Sequence, residues 1–100
     1  MFEPIGFEWH DEKARLNLLK HGVSFVTGAR VFLDLNRVVW DVSRPLDGEA
    51  RSKAVGVVEG RLLSVVFTAR EQICRIISAR PANSSEERRY GNRSNDTWAD

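Results

Sequence analysis

The sequence predicts an α+β fold: two N-terminal helices, an antiparallel β-meander of three to four strands, and a C-terminal helix. Three observations carry this. Apolar residues recur at helical spacing up to about residue 34. From Val38 to Ala79 the pattern changes to runs rich in Val, Leu, Ile and Phe, joined by turns too short for a crossover helix. After Pro81, a serine pair precedes Glu86 and Glu87, the residue types that open a helix.

The first helix is predicted over Asp11 to His21. Asp11 can cap it, because its carboxylate accepts from the N–H groups of the first turn. Gly22 can end it in the left-handed conformation. Ala14, Leu16, Leu18 and Leu19 form a broad apolar arc interrupted by Arg15, and Lys13, Asn17 and Lys20 form the opposite polar stripe. Ser24 caps a second helix in which Phe25, Ala29 and Phe32 share a face. Gly28 weakens that helix by about 1 kcal/mol relative to Ala, or lets it pack closely on a neighbour. The helix should stop near Asp34-Leu35-Asn36.

Val38 to Val42 is the first predicted strand, and Ser43 to Ala50 a loop. Lys53 to Glu59 and Arg61 to Ala69 form a hairpin turning at Glu59-Gly60. Ile73 to Ala79 is the last strand, stopped by Pro81. Ser84 or Ser85 caps a final helix through Tyr90. Helices should cover one sheet face and leave the other free. In the last strand Cys74, Ile76 and Ser78 should point one way, and Arg75, Ile77 and Ala79 the other. Residues 1–90 read as one domain and 91–100 as a flexible polar tail.

Composition narrows the function. With 100 residues, 42% of them hydrophobic, and a net charge of +1, the chain suits one core and argues against disorder. No apolar stretch approaches the roughly 20 residues of a membrane helix. Met1 to Ile5 lacks the features of a signal peptide, so a cytoplasmic protein with no membrane partner is expected. The single cysteine, Cys74, excludes an intramolecular disulfide and reads as a small core residue. His10 and His21 have no companion at metal-ligand spacing, and phosphate-binding glycine loops and nucleophile elbows are absent. No metal or cofactor is expected. The 12 Arg against 3 Lys suit bidentate phosphate contacts, or reflect compositional bias.

Hairpin geometry says which polar residues can meet. A turn at Glu59-Gly60 pairs residues whose numbers sum to about 120. Arg51 then falls near Ala69 and Arg70, with Glu49 just upstream. Arg61 and Arg80 fall at the other end, about 25–30 Å away at 3.3 Å per residue. Two cations and a carboxylate suit metal-free RNA cleavage, in which a base takes the 2′-hydroxyl proton and arginines neutralise the phosphorane. The same residues also make an ordinary surface ion-pair network. His21 can serve as base or acid, or simply end its helix. Lys13, Asn17 and Lys20 can bind phosphates or form a solvated face. Trp9 and Trp40 can stack on bases or pack. Tyr90, beside Arg88 and Arg89, can act as an acid or a stacking platform, or anchor the last helix.

The order of these residues resembles the BrnT-type toxin family. The resemblance runs from Phe7-Glu8-Trp9-His10-Asp11-Glu12-Lys13-Ala14 and Asn17, through Lys20-His21-Gly22-Val23-Ser24-Phe25 and Ala29-Arg30-Val31-Phe32-Leu33-Asp34. It continues in Asp47-Gly48-Glu49 with Arg51, Gly60-Arg61-Leu62-Leu63, Val65-Val66-Phe67-Thr68 and Arg75-Ile76-Ile77-Ser78-Ala79-Arg80, and closes at Glu87-Arg88-Arg89-Tyr90. It implies a ribonuclease toxin of a type II toxin–antitoxin pair with a RelE-like fold, which degrades RNA and halts translation. The implied partner is a BrnA-type antitoxin with a ribbon-helix-helix part, through which alone the complex meets operator DNA. The family's polar signature falls on Lys20, His21, Glu49, Arg51, Arg70 and Arg80. The candidate catalytic set is therefore His21, Glu49, Arg51, Arg70, Arg80 and Tyr90, with Lys13, Lys20, Arg75, Arg88 and Arg89 as RNA-binding candidates. Departures include Pro81-Ala82-Asn83-Ser84-Ser85 in place of further basic residues, Ser52 where an aromatic is commoner, and Ala69 before Arg70. A second reading makes the chain a non-catalytic protein- or RNA-binding module.

Overall fold

A computed structural model describes residues 1–92. The order is β1 (Gly6–Glu8), α1 (Asp11–His21), α2 (Phe25–Ala29) continuing into a 3-10 turn (Arg30–Leu33), β2 (Val38–Asp41), β3 (Ser52–Val58), β4 (Arg61–Arg70), β5 (Ile73–Pro81) and α3 (Ser84–Gly91). The α+β class holds. The sheet is mixed rather than a pure meander, with five strands in the order β1-β5-β4-β3-β2. β1 is the addition. Its three residues pair in parallel with Ile73, Cys74 and Arg75, which places Glu8 beside Arg75.

Helix α1 has the predicted bounds. His10, not Asp11, is its N-cap; Asp11 lies in the first turn, where its charge suits the dipole. Gly22 closes the helix at φ 70° with its N–H bonded to Leu18 O. The buried face differs from expectation. Asn17 is buried, while Leu16, Leu18 and Leu19 are about half or more exposed. Asn17 Nδ2 donates to Ala79 O (2.7 Å) and to Val23 O (3.0 Å), and its Oδ1 accepts from Ala79 N (3.2 Å). β1 is too short to pair the second half of β5, so a side-chain amide satisfies backbone groups that no strand reaches.

Helix α2 is shorter than predicted because its last turns tighten into the 3-10 form. Its glycine permits close packing: a Cβ on Gly28 would lie 2.9 Å from Ala79 Cβ. Val23, Phe25, Val31 and Phe32 thereby pack on Ala54, Val58, Leu63, Val65, Phe67, Cys74, Ile76 and Ala79 from the inner sheet face. Trp9 joins this core edge-on to Phe25. Burial pushes the Cys74 thiol up to about 12, consistent with an inert core residue.

The β3–β4 hairpin has Ser52 opposite Phe67 and Val58 opposite Arg61, so paired numbers sum to 119. Glu59 and Gly60 both take positive φ at its turn. In β5 the predicted alternation fails. Val66 pairs with Ser78 but Phe67 with Ile76, so Ile77 is an extra, bulged residue. Cys74, Ile76 and Ala79 consequently face the core, while Arg75, Ser78 and Arg80 share the outer face. That outer face is not wholly free, because α3 lies over part of it. Asn83, rather than either serine, caps α3 and forms a reciprocal capping box with Glu86. Of the expected tail, Gly91 ends α3 and Asn92 caps it; the remainder, 93–100, lies outside the described residues. No helix among the described residues is long and apolar enough to cross a membrane.

Candidate active site

The outer sheet face divides into two halves of different chemistry. Under α3, the Glu86 carboxylate is buried, with 4% of its side chain exposed. Arg80 donates to both its oxygens at 2.7 Å, Lys53 Nζ donates at 2.7 Å, Ser64 Oγ at 3.1 Å and the Asn83 backbone N–H at 2.9 Å. Burial by itself would raise the carboxyl's pKa; the donors from Arg80, Lys53 and Asn83 outweigh it and hold the group at about 2. The same helix brings Arg89 over the Trp40 ring, 4.1 Å from its centre, and Tyr90 donates to Asp34 Oδ2 at 2.6 Å. Arg88 is exposed on its surface.

The other half is open. Arg70, at the end of β4, has a half-exposed guanidinium 3.5 Å from Glu49 Oε2 and 3.9 Å from Glu8 Oε2. Arg75, one strand over, also pairs with Glu8. Arg51, just before β3, lies 3.4 Å from Asp47 Oδ1. Asp47 closes a 3-10 turn (Pro45–Asp47), where hydrogen bonds from Arg44 hold its carboxyl below the usual range. The Arg51 Nε–H is buried and has no hydrogen-bond partner among the described residues. Arg51 and Arg44 border a cleft of about 260 Å³ floored by Val66, Ile77 and Ser78. A second cleft, of about 340 Å³, lies between α1 and β5 and is lined by Lys13, Leu16, Lys20 and His21.

The structure thus brings Glu49 and Arg70 together as hairpin geometry predicts, with Arg75 beside them. Arg51 sits at the same end but faces Asp47. Arg80 lies at the opposite end, as expected, and both its terminal nitrogens engage Glu86. His21, Lys13 and Lys20 border the separate cleft on α1, while Tyr90 and Arg89 are engaged on α3. Asn17 leaves the polar stripe for the interior. Sequence reasoning missed Glu8, Asp47 and Glu86. Glu86 had a readable signal, since Asn83 three residues before it is capping-box spacing. Glu8 had none, because its strand is three residues long. Among the described residues no three His, Cys, Asp or Glu side chains gather as a metal site would require.

An open, arginine-bearing sheet end with an adjacent carboxylate is chemistry suited to a phosphodiester. Comparison with known proteins bears on the same point. No curated protein matches the chain. The description of the ribonuclease toxin, BrnT, of type II toxin–antitoxin systems matches residues 9–86, which take in α1, the hairpin, β5 and Glu86 but stop before Tyr90. With most of its length so matched, the chain belongs to the BrnT family of ribonuclease toxins from type II toxin–antitoxin systems.

Proposed function

We propose that this protein is a metal-independent endoribonuclease that cleaves mRNA in the cytoplasm and so inhibits translation. We assign it a RelE-like fold and a BrnA-type antitoxin partner, whose ribbon-helix-helix part would bind operator DNA for the complex. The observation that carries the reading is the half-exposed Arg70 guanidinium beside Glu49 on the open sheet end. Arg70, with Arg51 and Arg75 nearby, binds phosphate and stabilises the extra charge of the phosphorane. Glu49 takes the 2′-hydroxyl proton. The 2′-oxygen attacks phosphorus, the bond to the 5′-oxygen breaks, and a proton delivered by water at this open end goes to the leaving oxygen; His21, in the separate cleft on α1, is not assigned to this step. The products are a 2′,3′-cyclic phosphate and a 5′-hydroxyl. Arg80 and Tyr90 hold α3 on the closed half of the sheet and are not assigned to this step.

The second reading, a binding module without catalysis, draws on one observation: Arg70, Arg75 and Arg51 each already face a carboxylate, as in a surface ion-pair network. Purified protein mixed with RNA in excess chelator separates the two. Cleavage yielding cyclic-phosphate ends supports the nuclease, and binding with intact RNA supports the module.

A further inference from the structure

The two clefts share their floor. Ile77 and Ser78 line both, one on the outer sheet face and the other over the free edge of β5 against α1. Ile77, the residue left over at the β5 bulge, is therefore at the shared saddle. Cations stand on either side: Arg44, Arg51 and Lys53 on one, where Asp47 also lines the cleft and pairs with both arginines, and Lys13 and Lys20 on the other. Between them the floor is partly apolar, through Leu16, Ile77 and Val66.

We infer that the two clefts are one groove for single-stranded RNA, crossing the edge of β5 at Ile77-Ser78 with successive phosphates held by Arg51 and Arg44 on the sheet side and by Lys20 and Lys13 on α1. This rests on the ribonuclease reading for its choice of RNA, and adds to it a second phosphate subsite outside the sheet face. Cationic walls with a partly apolar floor match the alternation of charged backbone and apolar base in an unpaired strand.

The test is salt-dependent binding of a 2′-O-methyl oligouridylate, which lacks the nucleophile and stays intact. Each phosphate neutralised on a single strand contributes about 0.7 to the slope of log affinity against log salt. The double variant Lys13→Gln, Lys20→Gln should lower that slope by about 0.7. Arg15→Gln, which removes one charge from the other side of the same helix, should leave it unchanged; Arg15 is paired with Glu12 and lies away from the groove. All three positions are exposed, and circular dichroism checks the fold. An unchanged slope in the double variant, an equal fall in Arg15→Gln, tighter binding of a duplex than of the single strand, or no binding by the unaltered protein each overturns the groove. Cleavage is scored separately on the all-ribose oligomer. A slope change with no cleavage supports the groove and rejects the nuclease.

Discussion

The two halves of the outer sheet face use the same ingredients, arginine and glutamate, to opposite ends. Under α3, Glu86 is buried and surrounded by donors from Arg80, Lys53, Ser64 and Asn83. At the open end Arg70 is half exposed and meets Glu49 and Glu8 only at 3.5 and 3.9 Å. A buried carboxylate with every partner in place locks a helix onto a sheet, whereas a loosely paired, hydrated guanidinium can exchange its carboxylate for a phosphate at little cost. Residue type therefore does not distinguish scaffold from site in this protein; burial and bond geometry do.

The comparison is broken most severely at Glu86. Glu86→Ala leaves Arg80 and Lys53 facing each other under α3 without their anion, and should destabilise the fold by about 3–5 kcal/mol in urea unfolding. A loss under 1 kcal/mol would mean that the closed half is held by something else. Arg70→Ala tests the open half. It should cost under about 1 kcal/mol of stability yet reduce RNA cleavage by about 10²–10³-fold. An unfolded Arg70→Ala product would make Arg70 part of the scaffold.

Acid sharpens the contrast. Glu86 is held at about 2 in the folded protein, below its range in an unfolded chain, so its stabilisation is complete above the ordinary carboxylate range and is lost as pH falls toward 2. Denaturation midpoints should therefore drop between about pH 4.5 and 2, and Glu86→Gln should flatten that fall. The smallest expected effect is the response to salt. In double-mutant cycles, the Glu49–Arg70 coupling should be under about 1 kcal/mol and vanish in molar salt, where screening reaches about 3 Å, while the Glu86–Arg80 coupling persists.

Much of this was readable from local patterns. The bounds of helix α1 and its Gly22 cap were legible, though its N-cap is His10 and not Asp11; the hairpin turn was legible to the residue, and the Glu49–Arg70 encounter followed from counting outward from that turn. What escaped depends on partners distant in sequence. Gly6–Glu8 is too short to show a period, and its pairing with β5 is written nowhere near it. The bulge at Ile77 is set by the fit of β5 to β4, and a one-residue offset was enough to turn Ser78 outward and Ala79 inward. Asn17 looked like a solvated polar residue because its partner, Ala79, lies 62 positions away. Glu86 looked like a first-turn acid, and is one, but Lys53, Ser64 and Arg80 converge on it only through the sheet register.

The amide of Asn17 has a further consequence. A strand whose outward N–H and C=O groups are left unpaired offers a template to any other extended chain, including a second copy of itself. By bonding both the N–H and the C=O of Ala79, the Asn17 amide does at one position what a neighbouring strand would do. At Ala79, the β5 backbone is thereby closed to a further strand, while the cleft beside it, lined by Ile77 and Ser78, stays open.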